Sequence, residues 1–87
     1  MKVIIAYDVN VNRINDVRKV LKQYLIWVQN SVFEGELSEG MLEELKLNLY
    51  NIIDSSEDSI LVYTISNPKW INKMVWGIEK NVTDNIL

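Results

Sequence analysis

Any chemistry in this chain has to be done without histidine and without cysteine, because neither residue occurs in its 87 positions. That removes a His general base, Ser–His and Cys–His nucleophile pairs, His-ligated zinc and thiolate reactions. Carboxylates, hydroxyls, Lys, Arg and a hard cation such as magnesium, which takes oxygen ligands, remain. Asp8 is placed for such work, at the end of the apolar run KVIIAYDV at residues 2–9. An acid at the mouth of a rigid strand can serve as a metal ligand or catalytic carboxylate. It can equally be a turn residue that binds backbone N–H groups. Four cations follow close behind, Arg13, Arg18, Lys19 and Lys22. A basic helix face of this kind either contacts phosphate or stays solvated.

The elements that must position these groups are legible from periodicity. In residues 2–9, Val3, Ile5, Tyr7 and Val9 alternate with Lys2, Ile4, Ala6 and Asp8. Both faces are apolar through the middle, which marks a central strand covered on two sides. Asn12 is placed to cap a helix running to about Leu25, with Ile14, Val17, Leu21 and Leu25 as its apolar stripe. Residues 26–37 read as one long bent strand or as a hairpin, with Gln29-Asn30-Ser31 as a turn or bulge. Ser38 caps a second helix whose stripe is Met41, Leu42, Leu45, Leu49, Ile52 and Ile53. A polar loop at residues 54–58 leads to a strand at 59–66, again apolar on both faces. Asn67-Pro68 is a turn signal, and residues 70–79 continue in extended form, with Gly77 a bulge or close-approach point.

The order strand, helix, strands, helix, strand is that of an α+β, ferredoxin-like (βαββαβ) sandwich. It predicts an antiparallel sheet with both helices on one face and an extra C-terminal strand. Residues 1–80 form this single domain, and residues 81–87 are expected to add a strand on a partner protomer. Strands that are apolar on both faces, with helices on one side, predict a homodimer that buries the bare sheet faces.

Charge narrows the partners. Residues 1–33 carry a net +3, residues 34–59 a net −7 and residues 60–87 a net +1, for a total of −3. The acidic middle repels phosphate, so a nucleic acid should approach from elsewhere. No apolar run is long enough to span a bilayer and no signal-peptide pattern opens the chain, so a cytoplasmic protein is expected. A Gly-aromatic pattern of the RNA-recognition kind is missing from SVFEGEL at residues 31–37. No Gly-rich phosphate loop supports a ligand-sensing domain. Phe33, a lone aromatic in that segment, reads as core rather than as a base-stacking platform.

The motifs taken together resemble the CRISPR-associated protein 2 family. They are KVIIAYDV with its Tyr7-Asp8-Val9 triplet, a basic first helix with Arg18, VQNSVFEGEL at residues 28–37, DSILVYTI at residues 58–65 and the tail GIEKNVTDNIL. The resemblance implies a ferredoxin-like homodimer in which Asp8 of each protomer meets its mate across the two-fold to hold Mg2+ or another divalent metal. It implies phosphodiester hydrolysis of RNA or duplex DNA, with Asp8 catalytic and with Arg18, Arg13, Lys19 and Lys22 on the nucleic acid. By resemblance Tyr7, Ser31 and Phe33 lie near the site. It also implies a partnership with the CRISPR integrase (CRISPR-associated protein 1) in spacer acquisition. A non-catalytic dimeric adaptor, bridging integrase subunits and spacer DNA, is the alternative.

Overall fold

The first strand, β1 (Lys2–Asp8), lies at the centre of a five-stranded sheet. The computed structural model describes residues 1–80. After β1 a single 3₁₀ turn (Val11–Arg13) leads into α1 (Ile14–Tyr24), the hairpin β2 (Ile26–Gln29) and β3 (Val32–Glu36), then α2 (Glu39–Tyr50), β4 (Ser59–Asn67) and β5 (Trp70–Gly77). The sheet order is β2-β3-β1-β4-β5, and every neighbouring pair is antiparallel. This is the ferredoxin-like arrangement, with β5 added beside β4 as the extra strand. The expected strand at residues 81–87 lies outside the described residues.

Alternation along each strand sorts the two faces. Val3, Ile5 and Tyr7 of β1, Phe33 of β3, Ile60 and Val62 of β4 and Trp76 of β5 are buried in one core. The same core takes Val17, Leu21 and Leu25 from the first helix and Leu42, Leu45, Leu49 and Ile53 from the second. Both helices therefore cover one side of the sheet. The other side carries Ile4 and Ala6 of β1, Val32 of β3, Leu61, Tyr63 and Ile65 of β4 and Ile71 and Val75 of β5, by register. No helix covers it, and Ile71 is 61% exposed. Among the described residues no helix is long and apolar enough to cross a membrane.

Local chemistry moves several expected boundaries. Asn10, not Asn12, opens the first helical segment: its side-chain oxygen accepts from the Asn12 N–H at 2.9 Å. Asn12 is thus a capped residue inside the 3₁₀ turn. Residues 26–37 form a hairpin, because Asn30 adopts φ 46°, a left-handed turn geometry that Asn tolerates. The Trp27 indole closes it by donating to the Asn30 carbonyl at 3.0 Å, and the pairing slips between Trp27 and Gln29. Ser38 caps α2 as expected, accepting from the Met41 N–H at 3.1 Å. Met41 itself is exposed and does not join the buried stripe. Gly77, at φ +91°, is a close-approach point: a Cβ there would overlap the Asp58 carbonyl oxygen.

Candidate active site at the end of the central strand

Asp8 stands at the C-terminal end of β1, where the backbone is held from both sides. The Asp8 position pairs with Ser59 of β4. On the other side the Tyr7 N–H donates to the Ser31 carbonyl at 3.1 Å. The side chain stays open to solvent: the Asp8 carboxylate is 74% exposed and shares the uncovered sheet face with Ala6 and Ile4. A cation reaches it from the far end of the described chain. Lys80 Nζ lies 3.5 Å from Asp8 Oδ2 and donates to the Asp8 carbonyl at 3.2 Å. A strand end held by backbone pairing, with its carboxylate open to solvent, can present that group to a metal or a reacting phosphate.

Two residues beyond Asp8 the chain enters a polar hub centred on Asp58. Asp58 is 0% exposed. Its Oδ1 accepts from the Asn10 N–H at 2.9 Å and its Oδ2 from the Asp54 N–H at 2.9 Å. Arg13 closes the set, with Nε to Oδ2 at 2.6 Å and Nη2 to Oδ1 at 3.1 Å. Nη2 also pairs with Glu57 at 2.6 Å. Burial pushes the Asp58 carboxyl upward, but the Arg13 guanidinium and the two backbone N–H groups outweigh it and hold the group at about 2. Arg13 is raised further above its ordinary value by the same bonds. The Asp58 carbonyl accepts from the Ile78 N–H at 2.9 Å. One buried residue thus fastens the segment after Asp8 and the segment before Lys80.

The residues singled out from the sequence separate into groups. Tyr7 and Phe33 are buried on the helix side of the sheet, ring centroids 6.3 Å apart, opposite the face that Asp8 shares. They shape the strand under Asp8 and do not reach its carboxylate face. Ser31 touches the site through its backbone, by the bond from Tyr7. Arg18, Lys19 and Lys22 ride on α1, across the sheet from the open face. Among the described residues none of these three forms an ion pair, whereas Arg13 is engaged by Asp58 and Glu57. Asp58 and Lys80 were not singled out as site residues. The spacing Arg13…Asp58 carries no local signal, since it joins residues 45 positions apart. Asp58 also sits in the acidic stretch that reads as repelling phosphate, although its charge is buried and paired.

Among the described residues no group of three or more acidic, His or Cys side chains is placed to hold an ion. Asp8 alone therefore falls short of a magnesium site, which wants several hard oxygen ligands. An exposed carboxylate on an open face, beside the small Ala6, does fit a site completed by a second copy of the same strand.

Residues 1–74 match the family model described as CRISPR associated protein Cas2. The chain belongs to the Cas2 family. It is 51% identical over 84 residues to the "CRISPR-associated endoribonuclease Cas2 3" of Thermodesulfovibrio yellowstonii, covering 97% of this chain and 96% of the relative. It is 46% identical over 88 residues to the "CRISPR-associated endoribonuclease Cas2" of Thermococcus kodakarensis, covering the whole of both. A crystal structure of a Cas2 protein matches with TM-score 0.69 at 42% identity, over 97% of this chain and 86% of the other. Streptococcus pyogenes Cas2 matches with TM-score 0.69 at 36% identity, over 76% of this chain and 87% of that one. The α+β fold of this chain is therefore that of a Cas2 family member.

Proposed function

We propose that this Cas2 family chain is an endonuclease of CRISPR adaptation that hydrolyses phosphodiester bonds, with RNA the first substrate to test. The observation that carries the reading is Asp8: an exposed carboxylate on a rigid, doubly paired strand end, facing an uncovered sheet surface. The names of the relatives support a nuclease acting on RNA. The uncovered apolar face supports a homodimer, because a monomer would leave Ile4, Val32, Leu61, Tyr63, Ile65 and Val75 without a covering layer.

In that dimer the two Asp8 carboxylates, one from each copy, would hold magnesium. When bound, the ion supplies a water of lowered pKa as nucleophile and a positive charge beside the phosphate. The chain's own part is to position. Backbone pairing to Ser59 and the bond from Tyr7 to Ser31 fix the direction of the carboxylate. Ala6 leaves room for the partner strand. Two carboxylates brought together repel, and a cation removes that conflict. Arg18, Lys19 and Lys22 bind backbone phosphates away from the scissile bond and give affinity without sequence preference. The CRISPR integrase is the expected protein partner.

The test is Asp8→Asn, which keeps size and removes charge. Sedimentation should give a dimer for parent and variant alike, and the variant should lose magnesium-dependent cleavage of RNA by at least about 100-fold, on the order of one lost electrostatic group in an active site. Equal cutting by the variant, or by the parent in chelator, hands the chain to the adaptor reading.

A further inference from the structure

We infer that Lys80 is a phosphate-binding residue of the Asp8 site, taking a non-bridging oxygen of the phosphodiester that Asp8 addresses. The inference rests on Asp8 marking the reaction centre. Lys80 Nζ lies 3.5 Å from the Asp8 carboxylate and 3.2 Å from the Asp8 carbonyl, although the two residues are 72 positions apart in sequence. The fold builds this meeting. The carboxylate of buried Asp58 accepts from the Asn10 N–H, two residues past Asp8. The carbonyl of the same residue accepts from the Ile78 N–H, two residues before Lys80. Gly77, with no Cβ, lets the end of β5 lie against that carbonyl. Asp8 and Lys80 are thus each two residues from a backbone N–H anchored on the one buried residue Asp58.

Charge gives the pairing its use. A phosphodiester approaching a bare carboxylate is repelled, and a site that works on phosphate needs fixed positive charge near the point where negative charge develops. The cations of α1 lie on the other side of the sheet, so they do not supply it. Lys80 does, at a range where an oxygen on the reacting phosphorus falls within its reach. An ammonium is a compact point charge with three donors on a flexible stem. It can leave the carboxylate when a metal takes that group and turn to the phosphate without a change in the backbone.

The experiment measures binding separately from cutting. In an Asp8→Asn background, affinity for a short single-stranded RNA is followed against salt, with and without Lys80→Met. Each phosphate contact on a single strand contributes about 0.7 to the slope of log affinity against log salt. Lys80→Met should flatten the slope by about 0.7 per site and weaken binding several-fold at low salt. In the otherwise native chain Lys80→Met should slow cleavage by about 10-fold or more, with Lys80→Arg keeping most of the rate. An unchanged slope overturns the assignment whatever the cleavage rate does. An Asp8→Asn chain that cuts like the parent instead overturns the Asp8 reading; the slope is then read on the parent in chelator, so the two failures stay distinct.

Discussion

Two aspartates flank the same end of the sheet and have opposite fates. Asp8 pairs by register with Ser59, the neighbour of Asp58. Asp58 is fully buried and accepts four hydrogen bonds, two from Arg13 and two from backbone N–H groups. Asp8 is 74% exposed and meets one lysine at 3.5 Å. A buried carboxylate must be paired and satisfied, and once it is, no lone pair is left over for a ligand. An exposed one costs the fold little and keeps its oxygens for a metal or a substrate. The division is therefore spatial: the acid turned into the hub fixes the backbone, and the acid turned to the open face is the one left accessible for the proposed chemistry.

Matched substitutions at the two aspartates should have very different costs. Asp58→Ala leaves Arg13 beside an empty cavity and two backbone N–H groups unsatisfied. Removing one partner of a buried pair costs about 3–5 kcal/mol, a large share of what a domain of this size has. Urea unfolding at fixed protein concentration should show that loss. Asp8→Asn, measured the same way, should stay within about 0.5 kcal/mol of the parent, as a surface change does. If both variants unfold alike, the separation of the two acids is wrong.

Acid sharpens the same contrast. The Asp58 carboxyl is held at about 2, below its ordinary value of 3.8. A depressed carboxyl gives stability that is complete above the unfolded pKa and lost as pH falls through the folded one. The window is therefore about pH 5 down to pH 1, and the linked stability is on the order of 2–3 kcal/mol. Unfolding free energy measured across that range should fall by this amount beyond the fall seen in Asp58→Asn. A parent and variant with parallel acid profiles would remove Asp58 as the linked group.

What could be read in advance follows from how local the physics is. Strands with period two, helical stripes, and Ser38 as a cap are contacts among near neighbours, so residues 2–9, 14–25 and 38–53 declared their elements. Asp8 stood out as a candidate because an acid at the end of an apolar strand breaks a pattern, and the structure places it at that strand end with its side chain exposed. The hairpin at 26–37 stayed open between two forms because its outcome depends on Asn30 taking φ 46°, which Asn permits and does not compel. The hub was hidden for a different reason. Asp58 looks like its acidic neighbours Asp54 and Glu57, and only the return of β4 beside β1 brings it to Arg13. Arg13 in turn looked like Arg18, Lys19 and Lys22, since a basic helix face gives no sign of which cation is already paired. Lys80 needed the whole path of β5 to arrive at Asp8.

The smallest expected effect separates those cations. Arg18, on α1, has no ion pair among the described residues, so its guanidinium is available to a phosphate. Arg13 lies 2.6 Å from Asp58 and 2.6 Å from Glu57, with a side chain 25% exposed. Taking a phosphate would mean leaving a buried carboxylate uncompensated, which no single surface phosphate contact offsets. Arg18→Ala should therefore flatten the salt dependence of RNA binding by about 0.7 and leave unfolding unchanged. Arg13→Ala should do the reverse, lowering stability by kilocalories while the folded protein keeps its slope. The change at Arg18 is one contact among several and weakens binding by only a few-fold at moderate salt, so the slope is the reading that decides. An Arg18→Ala protein with the parent's slope would mean that this helix face is solvated charge, and that the phosphate chain runs on the Asp8 side of the sheet alone.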